Sequence, residues 1–444
     1  MKKVLILGAG LVVKPMVEYL LSTKIGLMIA SPMKDRADEM IKGNPLGSSI
    51  DWSMDDPGML EKLIIDYDIT VSLLPYKYHS EVAKVCLLHG KPLVTTSYIQ
   101  PEMKELSAAV EKAGLLFLNE IGLDPGIDHM TAMRIIDHIH SKGGKVEEFY
   151  SLCGALPAPE AADNPLKYKF TWSPKGVILA SRNNALYLKK AKKVNIETFN
   201  LFKDTFIYNF PGIGDLEVYP NRDSVSFIDI YGISETKTMY RGTFRYIGWC
   251  ETLDTMKSLG MLDDTIKNYQ NKSYAEFMGE RAGLEITNLK PNLAKLLGTT
   301  EKTTAIKSLE FLGFFSDEKL NYRNASPFDI TSDRMIKKMP LADNERDMVI
   351  LQHIVLASYP DGKREVIKSS MLDYGSPSTN TSISRTVALP AAIAVRMILD
   401  NRIKAKGVCR PVIPEIYNPV LDELKSMGIE MKEEYRLPES EMIP

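Results

Sequence analysis

The strongest constraint on the fold lies at the N-terminus. Four apolar residues, Val4-Leu5-Ile6-Leu7, run straight into Gly8-Ala9-Gly10, and the apolar residues that follow, Met16, Val17, Tyr19, Leu20 and Leu21, recur at helical spacing. That is a strand, a glycine turn and a helix. The alternation continues with strands at 26–30, 48–51, 69–74, 92–96 and 115–118, and with helices at 32–41, 56–67, 81–89 and 101–112. Parallel strands need a crossover connection, so short apolar strands alternating with helices predict a parallel sheet covered on both faces.

After residue 128 the pattern changes. Strands are expected at 147–153 and 225–231, in a mixed or antiparallel sheet. Helices are expected through 252–335, notably 253–259, 274–282 and 304–312, and strands again at 347–370 around an Asp361-Gly362 turn. Residues 388–400 are apolar nearly all round, which predicts a helix buried against the first sheet. The expected class is α/β, with a doubly wound parallel sheet of Rossmann type, a second α+β domain and a helical insertion. The expected division is 1–127 with 385–444 for the dinucleotide domain, 128–251 with 336–384 for a substrate and dimerisation domain, and 252–335 for a helical subdomain.

Composition removes several functions. The 444 residues carry 55 Lys and Arg against 57 Asp and Glu, a net charge of −2, so no bulk field favours nucleic acid or an anionic membrane. Four dispersed cysteines and six histidines without metal-ligand spacing predict neither a disulfide framework nor a metal site. Met1-Lys2-Lys3 and the apolar residues after it have the look of a signal peptide, but Lys14, Pro15 and Glu18 interrupt them and no small-residue cleavage site follows. No apolar run of about 18 residues is read anywhere, and a cytoplasmic protein is expected.

At the first turn, Gly8 permits the tight bend, and Gly10 lets the backbone approach a pyrophosphate seated on the N–H groups of the following helix. Leu11 and Val12 complete this candidate cofactor turn. The third position of the GxGxxG pattern is Val13, which weakens the motif. The tip of the second strand, Ala30-Ser31-Pro32-Met33-Lys34-Asp35-Arg36, has no carboxylate for a ribose 2′-hydroxyl; Ser31 offers a hydroxyl, and Lys34 and Arg36 are near. NADP is favoured over NAD, although both cations also suit a solvated helix face.

Longer strings carry a resemblance. They are Ser72-Leu73-Leu74-Pro75-Tyr76, Thr95-Thr96-Ser97-Tyr98, the run from Asn119-Glu120-Ile121-Gly122-Leu123-Asp124-Pro125-Gly126 to His129, Cys153-Gly154-Ala155, Trp172-Ser173-Pro174, Tyr219-Pro220-Asn221-Arg222 and Arg241-Gly242-Thr243-Phe244-Arg245. In these the chain resembles the glutamate-forming saccharopine dehydrogenases over nearly its whole length. The resemblance implies oxidation of saccharopine with NAD or NADP and water, giving L-glutamate and 2-aminoadipate 6-semialdehyde, by a homodimer. In NAD-using members the second-strand loop reads Ser-Asp-Met-Lys, and fungal NADP-using members carry arginine at the second of these positions. Pro32 here matches neither.

The resemblance assigns carboxylate binding to Arg222 and Arg245, with Ser97, Tyr98 and Thr243 as neutral partners and Phe244 replacing a usual leucine. Asp124 it places beside substrate and nicotinamide. Cofactor contacts are further expected from Leu73, Leu74, Ile121, Gly122, Leu123, Asp124 and Ser173. A tri-anionic substrate demands guanidinium groups, whose fork grips a carboxylate at two points. Asp124 follows the sixth strand, where ligands of such sheets bind, and a carboxylate there can serve as acid and base; a helix N-cap is its other reading. Asp128 and His129 read as capping or packing residues and Cys153 as a small core residue; Lys77 and His79 follow the fourth strand and could enter the cleft, although a lone histidine there reads first as a helix-start residue. The alternatives are an imine-reducing dehydrogenase acting on another amine, such as carboxynorspermidine, and a dinucleotide-binding regulator without turnover.

Overall fold

In a computed structural model that describes residues 2–443, the first apolar run is β1 (Lys3–Leu7), and the glycine turn leads into α1 (Lys14–Ser22). There follow β2 (Gly26–Ala30), α2 (Lys34–Ile41), β3 (Gly47–Ile50), α3 (Pro57–Asp66), β4 (Ile69–Ser72) and α4 (His79–Leu88). The alternation ends with β5 (Leu93–Thr95), α5 (Pro101–Glu105), α6 (Ser107–Lys112), β6 (Leu116–Leu118) and α7 (Ile127–Ser141). Then come β7 (Lys145–Pro157), α8 (Pro174–Ala180), β8 (Ala185–Lys189), β9 (Lys192–Ile196), β10 (Phe206–Phe210), β11 (Gly214–Pro220), α9 (Ser226–Tyr231) and β12 (Thr238–Tyr246). A helical stretch comprises α10 (Trp249–Ser258), α11 (Tyr274–Ala282), α12 (Leu289–Leu296), α13 (Thr304–Leu312) and α14 (Pro327–Lys338). The chain closes with β13 (Asp347–Ser358), β14 (Arg364–Tyr374), α15 (Ser382–Leu399), β15 (Gly407–Cys409), α16 (Pro414–Ser426) and β16 (Lys432–Leu437).

Two compact units share these elements. One holds residues 1–147, 229–235 and 351–444; the other holds 148–228 and 236–350, including α10 to α14.

The first unit contains a seven-stranded sheet in the order β15-β6-β5-β4-β1-β2-β3. Every pairing in it is parallel. This is the predicted doubly wound sheet, extended by β15 from the far end of the chain. Strand order reverses between β1 and β4, and such a reversal opens a ligand crevice at the carboxyl ends of the strands. One face is closed by Leu60, Leu63, Ile64, Val82 and Val110 packed around Leu5, Leu7 and Phe117. The same unit pairs β14 with β16 in antiparallel fashion.

The second unit has a mixed sheet in the order β10-β11-β12-β7-β13, with β8 on β12 and β9 on β8. Pairing is antiparallel from β10 to β12 and parallel between β12 and β7.

Two expectations are corrected. Residues 226–231 form helix α9 instead of a strand. The Asp223 carboxylate accepts the N–H groups of Val225 at 2.8 Å and Ser226 at 3.2 Å, and this local cap outweighs the β-forming residues behind it. Residues 382–399 do make one 18-residue helix apolar enough by composition to cross a membrane, with mean hydropathy 1.4. Its first turns contain Ser382, Ser384 and Thr386, which hid its length; Thr386 returns its hydroxyl to the Ser382 carbonyl at 2.9 Å, which removes its polar cost. Of this helix 72% is buried inside the protein, where it packs against α1, α16, β4 and β5.

Ile393, fully buried in α15, tests that packing. Ile393→Ala should lower unfolding free energy by about 2–5 kcal/mol in a denaturant titration, since it leaves a cavity. A helix facing lipid or water would tolerate the change.

Candidate active site

Gly8 sits at φ +108, where only glycine is at ease, and its N–H donates to the Ala30 carbonyl at 2.9 Å. A Cβ added to Gly8 would stand 3.1 Å from the Leu73 carbonyl oxygen, so β1, β2 and the end of β4 converge on this glycine. A Cβ on Gly10 would meet nothing within 4 Å, which leaves the turn open on that side. The first turn of α1 has no side-chain cap and no acidic residue, and Pro15 contributes no N–H. These features suit an anion at the helix N-terminus, so the turn fits the pyrophosphate of a dinucleotide. Buried Val13 fills the place of the third glycine; Leu11 is exposed, and Val12, Leu73 and Leu74 are partly exposed.

At the tip of β2, Ser31 is buried and its hydroxyl accepts the Met33 N–H at 3.1 Å. Lys34 is paired with Asp38 at 2.5 Å, while Arg36 is half-buried.

The loop between β6 and α7 is built around Gly126. At φ +148, a Cβ on it would fall 2.0 Å from the Gly122 oxygen. The Gly122 N–H donates to the Pro125 carbonyl, and the Ile127 N–H to the Gly122 carbonyl, both at 2.9 Å. Gly126 is the N-cap of α7 and no side chain caps the helix; Asp128, in its first turn, accepts the Gly126 N–H at 2.6 Å. Asp124 is therefore not the cap; its Oδ1 accepts the Tyr98 hydroxyl at 2.8 Å. Ile121, Gly122 and Leu123 are buried beside it.

The same loop is anchored by Glu120, at φ +58 and fully enclosed. Its carboxylate accepts the Ile99 N–H at 2.9 Å, pairs with Arg410 at 2.9 Å and meets His129 Nε2 at 2.8 Å, and His129 Nδ1 faces the Tyr231 hydroxyl at 3.0 Å. Burial pushes the Glu120 carboxyl up, but His129 and Arg410 outweigh it and hold it below the usual carboxylate range.

Between the ends of β4 and β5 lies His79. Its Nδ1 is 2.8 Å from the Ser72 hydroxyl; its Nε2 is 2.8 Å from the Ser97 hydroxyl and 3.3 Å from that of Thr95. Burial pushes the imidazole down to about 4. Lys77, by contrast, is exposed and lies over the Tyr78 ring.

In the second unit, the register of β12 with β11 and β7 sets Thr243 against Tyr219 and Cys153, and Arg245 against Glu217. Alternation along the strand turns Phe244 to the opposite face, where it packs edge-on with Phe210 in the core. Arg245 is 5% exposed, with its guanidinium over the rings of Tyr168, Tyr219 and Trp249. It donates to the Phe244 carbonyl at 2.9 Å, and its Nε has no partner. Glu217, its register neighbour, turns away to accept the Cys250 N–H at 2.7 Å at the start of α10. Among the described residues, no carboxylate pairs with Arg245. Arg222 is exposed in a turn at φ +49, Ser173 is exposed just ahead of α8, and Cys153 is buried.

Thus the structure joins Tyr98 to Asp124, and Ser97 to His79, in the first unit; in the second it sets Thr243 and Arg245 on one face. Sequence reasoning favoured a helix-start reading of His79 over a place in the cleft, gave Glu120 no part and missed the Tyr168 and Trp249 rings. A histidine seven residues after a strand-end serine was the available signal for the first.

Residues 4–118 match the family model described as the saccharopine dehydrogenase NADP binding domain, and residues 122–429 match that of the saccharopine dehydrogenase C-terminal domain. The saccharopine dehydrogenase [NADP(+), L-glutamate-forming] of Saccharomyces cerevisiae is 39% identical over 97% of this chain and 99% of its own length. The protein of the same name from Schizosaccharomyces pombe is 37% identical over 98% of this chain and 99% of its own. An apo structure of the S. cerevisiae saccharopine dehydrogenase (L-Glu forming) superposes with a TM-score of 0.90, covering 98% of this chain and 100% of that one, at 37% identity.

Two stability measurements follow from the buried groups. His79 is neutral when folded and gains a proton more readily when unfolded, so its contribution is complete above about pH 6.5 and is lost as pH falls toward 4. That amounts to about 3 kcal/mol, and His79→Gln should remove this part of the acid destabilisation seen in denaturant titrations from pH 7 to about pH 4.5. Glu120→Gln strands Arg410 beside a neutral group and should cost about 3 kcal/mol, read in the same titration at neutral pH.

Proposed function

Because the chain belongs to the saccharopine dehydrogenase family, we propose that it oxidises saccharopine, with NADP and water, to L-glutamate and 2-aminoadipate 6-semialdehyde. One observation of the structure carries the reading furthest. Arg245 is a buried guanidinium with aromatic walls and no carboxylate partner, and burying a cation without a counter-ion carries a desolvation cost that a bound anion offsets. A substrate carboxylate, gripped at two points, is that anion. Within the second unit Arg222 and Thr243 belong to the same reading, and within the first unit Ser97 is the candidate donor to a substrate carboxylate.

NADP, rather than the NAD left open by the loop residues, follows from the NADP-binding family model and from the NADP-dependent relatives. Gly8, Gly10, Leu11 and Val12 hold its pyrophosphate, Ser31 and Arg36 its 2′-phosphate, and Leu73, Leu74, Ile121, Gly122, Leu123 and Ser173 the remainder. Bound there, it would supply a hydride acceptor for the methylene carbon on the secondary amine that becomes the aldehyde. The rest falls to side chains of the protein. Asp124 takes the amine proton before hydride leaves, with Tyr98 holding its Oδ1, and it assists the proton movements as water adds to the imine carbon and the carbon–nitrogen bond breaks. A homodimer belongs to the reading too, and sedimentation equilibrium returning the mass of a single chain would remove it.

The assay is formation of reduced nicotinamide from saccharopine. Turnover is expected with NADP, and its absence with both NADP and NAD rejects the proposal. Arg245→Met should lower kcat/KM for saccharopine at least about a hundredfold with NADP binding intact, because it deletes a buried charge-assisted pair. Arg36→Ala should raise KM for NADP about tenfold and leave KM for NAD unchanged, as expected for loss of a contact to the 2′-phosphate.

A further inference from the structure

Ser72 and Thr95 face one another in the parallel pairing of β4 with β5, and the His79 ring stands between them at the strand ends. The ring is 3% exposed, and burial alone keeps it neutral, so it carries a single proton. Nε2 faces two hydroxyl oxygens, Ser97 Oγ at 2.8 Å and Thr95 Oγ1 at 3.3 Å, whereas Nδ1 faces only Ser72 Oγ. One nitrogen lone pair accepts one good hydrogen bond, but one N–H can be shared between two acceptors. Thr95 Oγ1 already acts as an acceptor, from the Ser97 N–H at 3.3 Å. The arrangement that satisfies every contact puts the proton on Nε2, donated to Ser97 and Thr95, and has the Ser72 hydroxyl donate to Nδ1.

We propose that His79 is a positioning residue for the reaction: its Nε2–H occupies the oxygen of Ser97 as an acceptor and so leaves the Ser97 hydroxyl proton to be donated to a carboxylate of the substrate. The opposite tautomer would draw that proton into the ring and turn Ser97 into an acceptor that repels a carboxylate. Ser97 is partly exposed and His79 is not, so the serine meets the substrate and the histidine acts through it. The inference rests on the reading of saccharopine as substrate.

The test compares Ser97→Ala, His79→Leu, His79→Gln and the Ser97→Ala/His79→Leu double variant by steady-state kinetics in both substrates. A glutamine amide nitrogen reaches the place of Nε2 and donates as it does, and leucine cannot. Ser97→Ala should raise KM for saccharopine about tenfold, the worth of one hydrogen bond to a charged group, with little change in kcat or in KM for NADP. His79→Leu should match it, the double variant should be no worse than either single one, and His79→Gln should stay close to wild type. Additive effects, or a glutamine variant as impaired as the leucine one, overturn the proposal. Should His79→Leu fail to fold, the ¹⁵N shifts of the His79 ring in the wild type decide: protonation at Nε2 supports the proposal, and protonation at Nδ1 overturns it. A wild type that does not turn over saccharopine at all rejects the functional reading first, and this inference with it.

Discussion

The seam between β1 and β4 governs the first unit. Each strand on one side of it has its crossover helix on one face of the sheet, and each on the other side has it on the opposite face, so the chain leaving β1 and the chain leaving β4 diverge. Gly8 keeps that divergence narrow. With its left-handed backbone it lets the turn brush the Leu73 carbonyl, and any side chain there would prise β1 from β4. Because β4 is pinned at this point, Ser72 is fixed, and through β5 so are Thr95 and the segment running on to Tyr98. Ser72 and Thr95 therefore sit on strand ends set by backbone pairing, a more rigid support than loops provide, and Ser97 and Tyr98 follow directly from one of them.

The two units handle buried charge in opposite ways. Glu120 is surrounded by Arg410, His129 and a backbone N–H, and so behaves as a structural ion whose removal leaves its partners stranded. Arg245 is enclosed to a similar degree but by aromatic faces, which attract a cation less strongly than a carboxylate does. A fully paired network stabilises a loop and has nothing left to offer a ligand. A cation short of its counter-ion has retained that capacity.

Much of this was legible from periodicity. Six of the seven strands of the parallel sheet, helices 274–282 and 304–312 and the Asp361-Gly362 turn are strong local patterns, and the structure has them where they were expected. Residues 225–231 were misread because a carboxylate two positions upstream decides their conformation, and side-chain capping leaves no trace in hydrophobic period. The start of α15 was missed for a related reason, since serines and threonines that bond back to their own helix look polar in sequence but are not polar to the core. Asp124 was suspected from its place after the sixth strand as well as from the motif strings, and Arg245 mainly from those strings. What singles them out physically is tertiary: which neighbour donates to the carboxylate, and which strand lies in register alongside.

That division of labour recurs. Ahead of α7, two aspartates lie within reach of the helix start, and Asp128 takes the Gly126 N–H while Asp124 receives the Tyr98 phenol instead. Alongside Arg245, the only acidic residue in its β11 register is Glu217, and the N-terminus of α10 claims that carboxylate. In the second case the N-terminus of α10, where exposed N–H groups carry a partial positive charge, absorbs the carboxylate that would otherwise have neutralised the candidate cation. A helix end thus acts as a local sink for negative charge, and Arg245 beside this one is left without a carboxylate among the described residues. The same logic explains why α1 has no acidic residue in its first turn. A carboxylate there would satisfy the N–H groups that a pyrophosphate needs, and the glycine turn would then have nothing to present.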